Sequence, residues 1–182
     1  MTTIVYKDGV IAIDSLVLSI DKEIVSNNTN KIIKSLYYNN YVIASGLKQH
    51  ILIFANEVLN KKELNKFIIY SKKTKYIIPK QKRIKCSGIL IHNNLLYEIS
   101  SYRNFYKIKL LGSRFKNLNN NLIFGEGRFK IGQIEQIKNL DILTAPEIVN
   151  EISLISDCTN NNIRALNTKT LTETIYSNFI NE

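Results

Sequence analysis

The residues best suited to chemistry stand at the start of the chain, where Thr2 follows Met1. Removal of Met1 would leave a hydroxyl and an α-amine on adjacent carbons of Thr2. A threonine hydroxyl is a poor nucleophile at neutral pH until a base accepts its proton. An α-amine titrates near pH 8 and can act as that base, directly or through one water. Met-Thr-Thr also opens many ordinary proteins, so Thr2 alone does not establish catalysis.

The segment around Thr2 predicts a β-hairpin that returns Asp14 toward it. Residues 2–6 and 10–13 are β-branched, aromatic or apolar runs typical of strands. Asp8-Gly9 supplies the turn between them, because this pair adopts positive φ at low cost. Asp14 then closes the second strand, either as a simple strand-end cap or as a carboxylate close to Thr2.

Composition predicts one globular domain spanning residues 1–182, with 45% hydrophobic residues. No apolar run reaches the roughly 18 residues of a membrane span, and a signal-peptide pattern is absent. The two cysteines lack metal-ligand or disulfide spacing, which favours a reducing cytoplasm. The two histidines lie in unrelated contexts, which argues against a zinc site or a Ser-His-Asp triad. We therefore predict neither a metal nor a cofactor.

The formal charge of +10 raises the possibility of nucleic-acid binding. Lysines and an arginine cluster at residues 61–62, 72–75 and 80–85, where a basic strip could hold phosphate nonspecifically. The chain is also rich in Asn, Ile and Lys, the combination that A/T-rich codons produce. Since no nucleic-acid-binding motif accompanies the charge, we rank this function last.

The remaining pattern predicts strands, one helix, strands, two helices and a last strand. Expected strands lie at residues 16–20 (extending the second strand), 22–26, 31–36, 41–44, 85–92, 95–101, 105–111, 121–124 and 163–166. Expected helices lie at residues 47–60, 128–138 and 144–157, the last with Thr144, Pro146 and Glu147 as start signals. Residues 67–70 are assigned to a strand or a helix end, residues 72–82 to an exposed loop, and the tail from residue 168 stays unassigned. This order suits two antiparallel sheets with helices outside them.

Several segments resemble β-type subunits of the proteasome. They are TTIVYKDGVIAIDS, NKIIKS, YVIASG, LLYEIS, IFGEGRFKIG and APEIVNEISLISDCTNNNI, which together cover most of the chain in the expected order. The resemblance is nearest to the bacterial ATP-dependent protease peptidases and their phage-encoded relatives, in the N-terminal nucleophile hydrolase superfamily. It implies an α+β fold, a four-layer α/β/β/α sandwich of two antiparallel sheets flanked by helices.

The resemblance also implies roles for three residues. Thr2 matches the nucleophile of the mature chain, Asp14 its acidic residue and Lys31 its buried lysine. A charged Lys31 near the hydroxyl would disfavour a second cation and so keep the α-amine neutral, while Asp14 would keep Lys31 charged and oriented. Without the family pattern, Lys31 would be interpreted as a solvated strand lysine.

Two further segments match only in part. The oxyanion hole is implied at Ser45 or Gly46, which could equally form a simple strand-to-helix turn. Asp157 matches the first residue of the family's Asp-x-x-Ser-Gly loop, and the resemblance implies that it is a further catalytic residue. Asn160 and Asn161 replace the serine and glycine of that loop, and Asn160 could still hydrogen-bond there and modulate the site.

The resembling family usually has Gly-Ser-Gly where this chain has Gly125-Glu126-Gly127. The Glu126 carboxylate could bind the α-amine as an ammonium, raise its pKa and weaken the base.

The sequence therefore predicts a threonine endopeptidase without metal or cofactor, acting on peptide or unfolded protein as a ring-forming homo-oligomer. It would lie in the cytoplasm of a bacterium or a phage-infected host, away from membranes, and a separate unfoldase would supply any ATP dependence. The alternative is a catalytically impaired structural or assembly subunit, favoured by Glu126 and the altered loop around Asn160.

Overall fold

A computed structural model describes residues 2–18, 23–36, 38–46, 48–59, 86–102, 105–118, 121–125, 127–136 and 138–177. The chain divides into two compact units, one formed by Met1–Ile32 with Phe115–Glu182 and the other by Ile33–Arg114. Glu126, the three basic clusters and the segments predicted at residues 67–70 and 72–82 lie outside the described residues.

The described elements follow the predicted order closely. The strands are β1 (Thr3–Lys7), β2 (Val10–Asp14), β3 (Val17–Leu18), β4 (Ile24–Ser26), β5 (Ile32–Lys34), β6 (Tyr41–Gly46), β7 (Cys86–His92), β8 (Leu95–Tyr102), β9 (Phe105–Ser113), β10 (Leu122–Gly125), β11 (Ile163–Asn167) and β12 (Glu173–Tyr176). The helices are α1 (Lys48–Leu59), α2 (Gly127–Glu135) and α3 (Ala145–Leu154). The predicted class, antiparallel sheets with helices, is confirmed.

The first unit is built on a five-stranded sheet of order β10-β1-β2-β11-β12. The predicted hairpin is present, and both turn residues have positive φ, 51° at Asp8 and 80° at Gly9. Antiparallel pairing of Thr3 with Gly125 and of Asp14 with Ile163 sets these residues at one end of the sheet. The hairpin therefore delivers the start of β1 and the end of β2 to the same place.

The predicted extension of β2 through residues 16–20 is wrong for its described part. Val17–Leu18 instead pairs with Ile24–Ser26 in a separate two-stranded sheet. The Asp14 carboxylate accepts a hydrogen bond from the Leu16 N–H at 3.0 Å, a local bond that turns the chain out of the strand.

Helix α3 and the buried Lys7 stabilise this five-stranded sheet. Residues Ile148, Val149 and Ile152 of α3 are fully buried against apolar side chains of β1, β2 and β11. As the sequence predicts, Glu147 binds back to Thr144, accepting its N–H at 2.6 Å and its hydroxyl at 2.7 Å. Before this helix, the Lys7 ammonium donates to the carbonyls of residues 140, 141 and 143 at 2.6–2.8 Å, which ties the incoming turn to β1.

The second unit contains a sheet of order β5-β6-β7-β8-β9, and α1 packs on it through Phe54 and Ala55. A side chain at Gly88 would place its Cβ 2.1 Å from the Ile43 carbonyl oxygen, so β7 approaches β6 too closely for any other residue. Asn93, with φ 53°, makes the predicted turn between β7 and β8.

Candidate active site

Lys31 contacts both Thr2 and Asp14 directly. Its Nζ donates to the Thr2 hydroxyl oxygen at 2.8 Å and to Asp14 Oδ2 at 2.9 Å. All three are buried, with exposed fractions of 4% for Thr2, 0% for Asp14 and 9% for Lys31. The arrangement sets one cation between a hydroxyl oxygen and a carboxylate.

The Asp14 carboxylate is fixed by backbone donors as well as by Lys31. The Thr3 N–H donates to Oδ1 at 2.6 Å, and the Leu16 N–H donates to Oδ2. Burial raises the pKa of Asp14, while the Lys31 charge and these hydrogen bonds oppose the rise. Burial likewise lowers the pKa of Lys31, and the Asp14 charge opposes the fall. Each charge is therefore sustained mainly by its partner.

The loop after α3 contacts Thr3 and Ser15, the neighbours of Thr2 and Asp14 in the chain, through Thr159 and Asn160. Thr159 is buried and its hydroxyl hydrogen-bonds that of Thr3 at 2.8 Å. Asn160 Oδ1 accepts the Ser15 N–H at 3.1 Å, next to Asp14 in the chain. Asp157 is exposed. Its catalytic role stays a prediction.

The proposed oxyanion-hole residues close strand β6 of the second unit. Ser45 is buried, and Gly46 has φ 150°, a conformation that favours glycine. Their register is fixed by pairing with Ser87 and Cys86 of β7. Which of the two would supply the N–H stays a prediction, as does the effect of Glu126.

Thr3 and Thr159 are two further residues of the site that the sequence does not predict. Thr3 donates its N–H to Asp14, and its hydroxyl hydrogen-bonds that of Thr159. Thr3 therefore links the Asp14 carboxylate to the loop after α3. A second hydroxyl residue directly after Thr2 was the available signal. Thr159 could not be found in this way, because its partner lies 156 positions earlier in the chain.

Comparisons with known proteins identify the fold. Neither a family model nor a curated protein matches the sequence. Among solved structures, eukaryotic HslV from Trypanosoma brucei superposes with a TM-score of 0.60 at 14% identity, covering 92% of this chain and 99% of that one. This chain has the proteasome-type fold. Thiobacillus denitrificans BPH in complex with epoxomicin gives a TM-score of 0.52 at 17% identity, covering 97% and 99%. BPH in a second structure gives 0.54 at 17% identity, covering 97% and 98%.

The described residues contain neither a membrane-spanning helix nor a cluster of metal-ligating side chains. None of their helices is both long and apolar enough to cross a membrane. Within the same residues, histidine, cysteine, aspartate and glutamate form no group of three or more that could hold a metal ion.

Proposed function

We propose that this chain is a threonine-type peptidase subunit that cleaves peptide bonds through Thr2 after removal of Met1. The observation that carries the proposal is the contact of the Lys31 ammonium with both the Thr2 hydroxyl oxygen and the Asp14 carboxylate. The proteasome-type fold supports the same reaction class.

The proposed reaction begins with attack of the Thr2 Oγ1 on the substrate carbonyl carbon. The hydroxyl proton passes to the Thr2 α-amine, directly or through one water, while the new C–O bond forms. A backbone N–H of Ser45 or Gly46 would stabilise the resulting oxyanion. The ammonium of Thr2 then gives its proton to the leaving amine as the C–N bond breaks, which leaves an ester on Thr2. Water attacks this ester and releases the acyl group.

Lys31 assists these reaction steps electrostatically. Its positive charge stabilises negative charge that develops on the Thr2 oxygen, and it disfavours protonation of the nearby α-amine. Asp14 supplies the counter-charge that keeps Lys31 protonated despite burial. This division of roles needs no metal or cofactor.

We further propose that the chain works as a ring-forming homo-oligomer on peptide or unfolded protein substrates. A separate ATP-dependent unfoldase would deliver folded substrates. These proposals rest on the resemblance to ATP-dependent protease peptidases and on the fold shared with HslV.

A comparison of two lysines tests the proposal. Lys31→Met should reduce hydrolysis of a fluorogenic peptide by Met1-free protein at least about 100-fold, the usual cost of removing one group that stabilises negative charge in the transition state. Lys138 also pairs with a carboxylate, that of Glu151 at 2.6 Å, but 44% of its side chain is exposed. Lys138→Met should leave the rate unchanged. Equal activity of Lys31→Met and the unaltered chain would overturn the assigned mechanism.

A further inference from the structure

Asn160 bridges two segments that carry the candidate catalytic residues. Its side-chain Oδ1 accepts the Ser15 N–H at 3.1 Å, and its Nδ2 donates to the Asn27 carbonyl at 2.7 Å. The amide is suited to this bridge because its donor and acceptor sit on different atoms. One side chain thus holds the end of β2 and the turn after β4 together.

Both bridged segments lead directly to the site. Ser15 follows Asp14, and the turn beginning at Asn27 runs into Lys31 four residues later. Midway along that turn, the Thr29 N–H donates to the Ser15 carbonyl at 3.1 Å, which strengthens the same connection. The spacing between Asp14 and Lys31 therefore depends on how firmly these two segments are joined.

We propose that Asn160 is a positioning residue that sets the Asp14–Lys31 contact and, through Lys31, the Thr2 hydroxyl. The catalytic part of this inference rests on the proposed peptidase function. Asn160 stands where the resembling family has serine, yet its bonds go to Ser15 and Asn27. A serine hydroxyl is shorter than the asparagine amide and carries its donor and its acceptor on one oxygen, so we expect a serine here to hold at most one of the two segments.

Asn162 offers a matched control within the same loop. Its Nδ2 also donates to the Asn27 carbonyl, at 3.0 Å, but it reaches Ser15 only through its own backbone carbonyl, at 2.9 Å. Asn162→Ala therefore removes one amide donor from Asn27 and leaves both contacts to the Ser15 N–H in place. Asn160→Ala removes the bridging side chain itself.

Two readouts on Met1-free protein test the proposal. The first is the rate of Thr2 modification by a peptide epoxyketone as a function of pH. The second is acetylation of Lys31 by an N-hydroxysuccinimide ester, measured by peptide mass mapping, which requires no catalytic activity. Asn160→Ala should slow Thr2 modification about tenfold, shift its pH profile and raise Lys31 acetylation several-fold. Asn162→Ala should change either readout by less than about twofold.

The Asn160→Ser variant tests whether Asn160 positions Ser15 and Asn27 or merely stands in for the family's serine. If Asn160 acts through Ser15 and Asn27, the serine variant should be as impaired as Asn160→Ala. In Asn160→Ser, Thr2 modification at or above the rate of the unaltered chain would overturn the proposal. Unchanged Lys31 acetylation in Asn160→Ala would also overturn it.

Failure of the proposed function has its own signature, the absence of any Thr2 adduct in the unaltered chain. Lys31 acetylation still decides the positioning role in that case. If Asn160→Ala does not fold, Asn160→Asp keeps the acceptor for Ser15 and removes the donor to Asn27. It should still raise Lys31 acetylation, and an unchanged level would contradict the inference.

Discussion

At the scale of single residues, the site depends on a buried ion pair whose two charges are costly apart. Asp14 has no exposed surface and Lys31 only 9%, so neither charge is hydrated as it would be in solution. Two backbone N–H groups and the Lys31 ammonium compensate the Asp14 carboxylate. Such a pair orients Lys31 toward the Thr2 oxygen more firmly than an exposed lysine could be oriented.

Removal of the Asp14 charge should destabilise the chain markedly. Asp14→Asn leaves Lys31 buried without its counter-charge, and breaking a buried pair from one side costs about 3–5 kcal/mol. The more exposed pair of Lys138 and Glu151, with 44% and 16% of the side chains exposed, provides the control, since Glu151→Gln should cost less than about 1 kcal/mol. Urea unfolding followed by circular dichroism measures both. Similar unfolding midpoints for the two variants would contradict the assigned burial of the Asp14–Lys31 pair.

The pH dependence of Thr2 reactivity should report the titration of Lys31. Burial lowers the pKa of Lys31 from 10.5, so the ammonium should be lost, and the reaction slowed, at a lower pH than for an ordinary lysine. Asp14 raises the pKa of Lys31, and Asp14→Asn should therefore move this alkaline limb to still lower pH. Epoxyketone labelling rates across the alkaline range measure the effect. A limb that stayed in place or moved to higher pH in Asp14→Asn would contradict it.

At the scale of elements, the start of helix α2 is packed directly against the site. A Cβ on Gly127 would lie 2.8 Å from Thr3 Cγ2, 2.9 Å from Ile152 Cδ1 and 3.0 Å from Ile123 Cγ2. Thr3 in turn donates its N–H to Asp14. Any displacement of Thr3 by this helix would therefore reach the carboxylate that holds Lys31.

Two glycines of α2 give a prediction and its control in one helix. Gly127→Ala should destabilise the chain by about 1–3 kcal/mol through overpacking and should slow Thr2 modification. Nothing lies within 4 Å of a Cβ placed on Gly132, so Gly132→Ala should stabilise the helix by up to about 1 kcal/mol. Thermal unfolding of both variants measures the difference. Equal stabilities would contradict the close approach of α2 to Thr3.

Elements with local signals were predictable, whereas those set by distant partners were not. The Asp8-Gly9 turn and the Thr144–Glu147 start of α3 depend on neighbouring residues, and both match the sequence prediction. Strand β12 was missed because pairing with β11 places it, and all four of its residues are exposed, so no apolar alternation marks it. In the site, residue types suggested Thr2 and Asp14, and the family resemblance added Lys31. The Thr3–Thr159 bond needed the folded chain.

At the scale of the whole molecule, the fold is shared with HslV although few residues are identical. The chain covers 99% of Trypanosoma brucei HslV at only 14% identity. The superposition shows a common fold, but identity this low does not show a common chemistry. The chemistry must be argued from particular residues. The Asp14–Lys31–Thr2 contacts therefore carry the functional proposal.

The proposed ring predicts a molecular mass in solution well above that of one chain. Size-exclusion chromatography with multi-angle light scattering should give a defined multiple of the 182-residue chain. A strictly monomeric protein at micromolar concentration would contradict the ring and leave the Thr2 chemistry to be judged separately.

The most direct test of the central claim is the intact mass of Met1-free protein after incubation with a peptide epoxyketone. This class of reagent closes a ring with both the hydroxyl and the α-amine of an N-terminal threonine, so it tests the two groups together. We expect a single adduct per chain that maps to Thr2 and is absent from Thr2→Ala. An unmodified mass for Met1-free protein, or an adduct that persists in Thr2→Ala, would contradict the assignment of Thr2 as the nucleophile.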